Sequence, residues 1–109
     1  MKINLNVKLV DEIGNPLMHA DGKPLTMKRA LIISLNNIFE DEKDISGEAK
    51  FARGMLAMRI HKEEAPDFKI DECSEIKECV GKSFSPWVIA QIWPVLEGPE
   101  EQDHIKEVK

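Results

Sequence analysis

Cysteine is scarce in this sequence, where Cys73 and Cys79 are the only two among 109 residues. Their spacing of six positions places them about 240° apart around a helix, which is too divergent for a disulfide within one element. We therefore predict that both cysteines are reduced thiols, either in the core or at the surface.

A long hydrophobic run is also missing. The first ten residues alternate polar with apolar side chains and contain no continuous apolar region of the kind found in signal peptides. The longest apolar stretch, residues 87–96, is interrupted by Gln91 and Pro94 and falls far short of the roughly 20 residues that span a bilayer. We therefore expect a cytoplasmic protein that does not enter a membrane.

Positive charge is in the minority, with 15 Lys and Arg against 20 Asp and Glu and a net charge of -5. Nucleic-acid binding depends on clustered positive charge that neutralises phosphates, so this balance favours a protein partner. A chain of this length suits one modest core. We predict a single globular domain over residues 1–98, followed by a charged, flexible tail over residues 99–109.

Recognisable catalytic, cofactor and metal motifs are missing as well. The segment Gly81-Lys82-Ser83 matches the end of a phosphate-binding loop, but Ile76 stands where that loop needs its first glycine. No serine or cysteine has a neighbouring base arranged for nucleophilic attack. We therefore predict that the protein is not an enzyme and needs neither a cofactor nor a metal ion. The histidines lack the spacing of metal ligands; they are His19, His61 and His104.

The N-terminal region has the pattern of a β-hairpin. In residues 3–9 apolar side chains alternate with Lys and Asn, which is the period of a half-buried strand. Two turn sequences follow, in which Gly14 and Gly22 each precede a proline by two positions. The residues between these turns, 16–20, are predicted to form the returning strand.

Helical patterns cover most of the remaining chain. Thr26 and Ser46 are the predicted N-caps of a first and a second helix, and a third helix begins at Asp71 or Ser74. Ser85 followed by proline is the clearest start signal, and it predicts a fourth helix that Pro94 kinks or ends early. The predicted fold class is therefore α+β, mainly α, with an N-terminal β-hairpin packed on three or four helices.

The second predicted helix has an apolar stripe that covers nearly half of its surface. Phe51, Met55 and Met58 recur at helical spacing. Three further apolar residues lie alongside them: Ala52, Leu56 and Ile60.

Basic residues on the first two helices are the basis of an alternative function. If they form one patch in space, the protein would be a nucleic-acid-associated accessory protein. The net charge opposes this alternative. The residues concerned are Lys28, Arg29, Arg53, Arg59 and Lys62.

The fourth predicted helix is apolar on almost all sides, which indicates burial against other elements or against a partner. Trp87 and Trp93 lie about 240° apart around it, so the two rings cannot both face one core. Tryptophan is strongly enriched at binding hot spots. We therefore predict an interface at Trp87, Trp93 and Phe84, where one tryptophan meets a protein partner or a second copy of the chain in a homodimer.

Two stretches of the sequence are similar to known proteins, namely KINLNVKLVDEIGNPL at the start and ECVGKSFSPWVIAQIWPVLEG near the end. They resemble a group of small phage- and prophage-encoded proteins, a group without an assigned activity. Pro94 departs from the pattern of that group. The resemblance implies a phage or prophage origin and no catalytic residues. The function predicted from the sequence is a non-enzymatic protein–protein interaction or regulatory protein that works through its last helix.

Overall fold

The computed structural model describes residues 2–42 and 44–97, so the predicted tail over residues 99–109 lies outside the described residues. This part of the chain contains four α-helices: α1 (Met27–Asn36), α2 (Gly47–Lys62), α3 (Ile70–Ser83) and α4 (Pro86–Glu97). A short 3-10 helix, Glu40–Glu42, lies between α1 and α2.

Two of the predicted helix starts are confirmed by their capping bonds. The Thr26 hydroxyl accepts a hydrogen bond from the Arg29 N–H at 3.2 Å, and the Ser46 hydroxyl accepts one from the Ala49 N–H at 3.1 Å. Pro86 is the first residue of α4, as the sequence predicts. The helix runs through Pro94 to Glu97, so Pro94 does not end it early.

The predicted N-terminal β-hairpin is wrong, and so is the α+β fold class, because the described residues contain no strand or sheet. Proline occupies one side of two of the bridges and has no N–H to donate, so the pairing cannot extend into a ladder there. The fold is mainly helical instead. The isolated β-bridges are Lys2 with Asp67, Lys8 with Thr26, Val10 with Pro16, and Met18 with Pro24.

The alternating N-terminal segment is extended and buries one side, although no strand pairs with it. The side chains of Ile3 and Leu5 are each only 2% exposed. Their backbone N–H groups donate to the Pro66 and Glu64 carbonyls, both at 3.0 Å. The segment therefore packs along the loop that precedes α3.

Both predicted turns are confirmed. Gly14 has a φ of 87° and Gly22 a φ of 84°, in the left-handed region where a side chain would be strained. Single backbone bonds hold the adjoining extended pieces together, since the Leu17 N–H donates to the Leu9 carbonyl and the Leu25 N–H to the Leu17 carbonyl. At the end of the N-terminal segment, the side-chain amide of Gln91 on α4 bonds to both the N–H and the carbonyl of Val10.

The core lies between α1 and α3, which carry most of its fully buried side chains. α2 packs against α1, and α4 packs against α3. Apolar burial of this kind is the main stabilising contribution in a domain of this size. No helix in the described part of the chain is long and apolar enough to cross a membrane. The core residues without exposed surface include Met27, Ala30, Leu31, Ile60, Ile76, Cys79, Val80 and Ile92.

Candidate protein-interaction surface

α2 faces the core with its smaller apolar side chains and with Arg53. Leu56 and Ala57 are each 6% exposed, and Ile60 is fully buried. The Arg53 side chain, 8% exposed, lies on the same side of the helix. A buried guanidinium needs partners for its charge and its donors, so its position constrains which side of α2 faces inward.

Two carboxylates satisfy Arg53. Its Nη1 donates to Glu42 Oε1 at 2.9 Å and its Nε to Glu75 Oε1 at 2.7 Å, while Nη2 donates to the second oxygen of Glu42. The hydrogen bond from Arg53 lowers the pKa of Glu42 to about 2, and the same bond raises the pKa of Arg53. This network fastens α2 to the 3-10 helix and to α3.

The opposite side of α2 exposes a row of large apolar side chains. Phe51 is 70% exposed, Met55 45% and Met58 52%. Glu48 and Lys62, both exposed, extend the row at its two ends. The spacings along the row alternate between three and four, as in the seam of a coiled coil. We call these five residues the α2 stripe: Glu48, Phe51, Met55, Met58 and Lys62.

Two grooves between α1 and α2 border the stripe. One has a volume of about 150 Å³, and Ile38, itself 58% exposed, and Gly54 are among the residues that line it. The other has a volume of about 220 Å³ and is lined in part by Ile32 and Met58. The apolar surface of α2 therefore continues sideways into two concave grooves.

Gly54 leaves open space beside the stripe. A Cβ atom added there would have no neighbour within 4 Å, so packing within the chain does not require glycine. Glycine inside a helix costs about 0.5–1 kcal/mol relative to alanine. Its absent side chain keeps the smaller groove open.

Charge changes sign along the stripe. Beside its N-terminal end lie the exposed Asp44 and Glu48, and at its C-terminal end lie His61 and Lys62, with Arg29 of α1 lining the same groove. Within the described part of the chain, neither Glu48 nor Lys62 belongs to a salt bridge. The stripe thus presents an apolar middle between an exposed acidic and an exposed basic side chain.

The residues predicted as an interface on the last helix do not form one surface. Trp87 is 48% exposed, and its ring N–H donates to the Val10 carbonyl at 2.8 Å. Trp93 is half-buried on the other side of α4, where its ring N–H donates to the Lys77 carbonyl at 3.2 Å. Phe84 is half-buried against the core. Each tryptophan therefore has a contact within the chain.

The five predicted patch residues are likewise divided. Arg53 is buried in its carboxylate network, and Arg59 donates to Glu72 at 2.8 Å while its guanidinium lies 5.2 Å from the centre of the Phe68 ring. Lys28, Arg29 and Lys62 remain near the start of α1 and the end of α2. Among the described residues, no three His, Cys, Asp or Glu side chains are grouped to hold a metal ion.

The two cysteines are buried free thiols. Burial raises the pKa of both, that of Cys79 to about 11. Because the thiolate is the reactive form, we expect the native protein at pH 8 to resist a colorimetric thiol reagent, and both thiols to react once denaturant unfolds it. Rapid reaction of a thiol in the native protein would contradict this prediction.

Comparison with known proteins adds no further assignment. No protein-family model matches the chain, and neither a curated protein nor a solved structure matches it. The resemblance to phage proteins therefore stays a prediction.

Proposed function

We propose that this protein is a non-enzymatic protein–protein interaction or regulatory protein and that the α2 stripe is its docking surface. The observation that supports this most is the row formed by Phe51, Met55 and Met58, which are between 45% and 70% exposed. A contiguous apolar row of this kind on a soluble domain is typical of a binding site. Methionine adapts its shape to different partners, which suits such a site.

The α2 stripe is favoured over the predicted interface on α4. The ring of Trp87 is exposed, but its N–H already donates a hydrogen bond to the Val10 carbonyl within the chain. The alternative of nucleic-acid binding is less favoured, because Arg53 and Arg59 direct their charge to carboxylates within the chain. Because these carboxylates neutralise the two guanidinium groups, Arg53 and Arg59 would contribute little to phosphate binding.

Site-specific photocrosslinking in the host cell tests this function. A benzophenone side chain placed at position 51 or 55 should give covalent adducts with a protein of defined mass after illumination. The matched control is position 13, where Ile13 is 81% exposed but lies outside the stripe. Adducts at 51 and 55 that are missing at 13 support the proposal. Equal labelling at all three positions, or none at 51 and 55, would reject it.

A further inference from the structure

The structure also indicates what binds to this surface. We propose that the partner at the α2 stripe is a second copy of this chain, bound with its α2 antiparallel across a two-fold axis at Met55. This inference rests on the proposed function of the stripe. It follows from the order of side chains along α2. When two copies of the helix lie antiparallel, the acidic end of each stripe meets the basic end of the other.

The two charged ends of the stripe are complementary in an antiparallel pair. Glu48 and Lys62 each lie seven residues from Met55, one on either side. In an antiparallel pair centred on Met55, Glu48 therefore lies opposite the partner's Lys62, and two-fold symmetry forms this ion pair twice. Both side chains are exposed, and the described part of the chain offers neither of them a salt bridge.

The apolar middle of the stripe matches in the same arrangement. Phe51 lies four residues before Met55 and Met58 three after it, so Phe51 comes within one residue of the level of the partner's Met58, again twice, and Met55 meets its own counterpart at the axis. All five stripe residues fall within an arc of about 80° on the helix, narrow enough for one helix-to-helix seam. A parallel arrangement would instead place Glu48 against its own counterpart and Lys62 against its own, which like-charge repulsion disfavours. Antiparallel helix dipoles also attract one another.

The size of the surface predicts a weak dimer. A helix of 16 residues is roughly 24 Å long. A specific interface typically buries ~1,000 Å² or more of surface. A seam of that length approaches this area only if the flanking grooves and the exposed Ile38 also take part in the contact. Gly54 allows the partner's side chains into the smaller groove. We expect a dissociation constant on the order of 10 µM, so dimer and monomer exchange within the usual concentration range.

Sedimentation velocity of the full chain over a concentration series tests the charge pairing. At low salt, Glu48→Lys and Lys62→Glu should each weaken self-association about tenfold, and the double variant should restore it to within about threefold of wild type. Phe51→Ser should abolish it. Glu63→Lys is the matched control, because Glu63 is exposed just beyond the helix, and it should change the dissociation constant less than twofold. Failure of the double variant to recover would overturn the antiparallel pairing.

The position of the axis can be tested by disulfide formation. Met55→Cys should give a disulfide-linked dimer under mild oxidation, because a residue on the axis meets its own counterpart. Met18→Cys is the control, because Met18 is 58% exposed at a site outside the stripe. This variant should not form the disulfide-linked dimer. The native cysteines are buried and do not compete. Thermal melts by circular dichroism verify that the variants fold.

Two results separate this inference from the function on which it rests. A wild type that stays monomeric at 1 mM, roughly a hundredfold above the expected dissociation constant, overturns the dimer. If the adducts at positions 51 and 55 then contain a different protein, the stripe is still a docking surface. If those positions give no adduct, both the dimer and the docking surface are rejected.

Discussion

Replacing Phe68 by alanine should lower the free energy of unfolding by about 3–5 kcal/mol. The ring is only 2% exposed and belongs to the buried cluster of the core. Its removal leaves a cavity that the surrounding helices cannot fill, and Arg59 loses the ring below its guanidinium. Equilibrium unfolding in urea, followed by circular dichroism, measures the change.

Phe51→Ala is the matched control for this prediction. Phe51 is 70% exposed, so the same substitution should change the free energy of unfolding by no more than about 0.5 kcal/mol. The unfolding measurement should be made at a protein concentration well below the expected dissociation constant, so that loss of self-association does not contribute to the difference. Equal losses at the two positions would mean that α2 turns its Phe51 side toward the core.

Replacing Glu42 by glutamine should lower the free energy of unfolding by about 2 kcal/mol at pH 7. Arg53 is 8% exposed and would keep Glu75 as its only charged partner in this network. A guanidinium that is buried with too few acceptors destabilises the folded state. Asp41→Asn is the matched control, because Asp41 is 67% exposed in its pair with Lys82 and contributes at most about 1 kcal/mol.

The effect of Glu42 should depend on pH in a defined direction. Its pKa is lowered to about 2 in the folded protein, from an ordinary value of 4.5. The stabilisation is therefore complete above about pH 4.5 and is lost as the pH falls towards 2. The difference in unfolding free energy between wild type and Glu42→Gln should shrink over that interval. A difference that stays constant from pH 6 to pH 2.5 would contradict the assignment.

The helical part of the fold could be predicted because its signals are local. The hydroxyls of Thr26 and Ser46 cap α1 and α2, and Pro86 opens α4, all within a few residues of the patterns that reveal them. The third helix begins at Ile70, one residue before the earlier of its two predicted starts, Asp71. Boundaries of this kind are often uncertain by one or two residues.

The hairpin could not be predicted correctly because a period of two reports burial and not pairing. Ile3, Leu5 and Leu9 are buried, as the alternation indicates. Their neighbours, however, are a distant loop and the helices, and no strand lies beside them. Two prolines in this region were the signal in the sequence that argued against a hairpin. Pro16 and Pro24 stand at positions where a ladder would need donors, which argues against a returning strand.

The orientation of α2 depends on residues that are far away in sequence. The helix carries large apolar side chains on one side, such as Phe51, and smaller ones on the other, such as Leu56. The sequence alone does not separate these two sides. Arg53 separates them, because its partners Glu42 and Glu75 lie on other elements. The alternating spacing from Glu48 to Lys62 fits a helix-to-helix seam but does not show whether that seam is exposed.

The bonds that hold Val10 have a consequence for how the chain matures during synthesis. Its backbone N–H and carbonyl are bonded by the side chains of Trp87 and Gln91, which follow it by 77 and 81 positions. Because the ribosome makes Val10 before α4, Val10 cannot form these bonds until α4 has been made, whereas Ile3 and Leu5 can already bond to the loop that precedes α3. α1 and α2 can pair well before that. The segment that ends at Val10 is therefore completed only after α4, the last described helix, and its end remains accessible to chaperones until then.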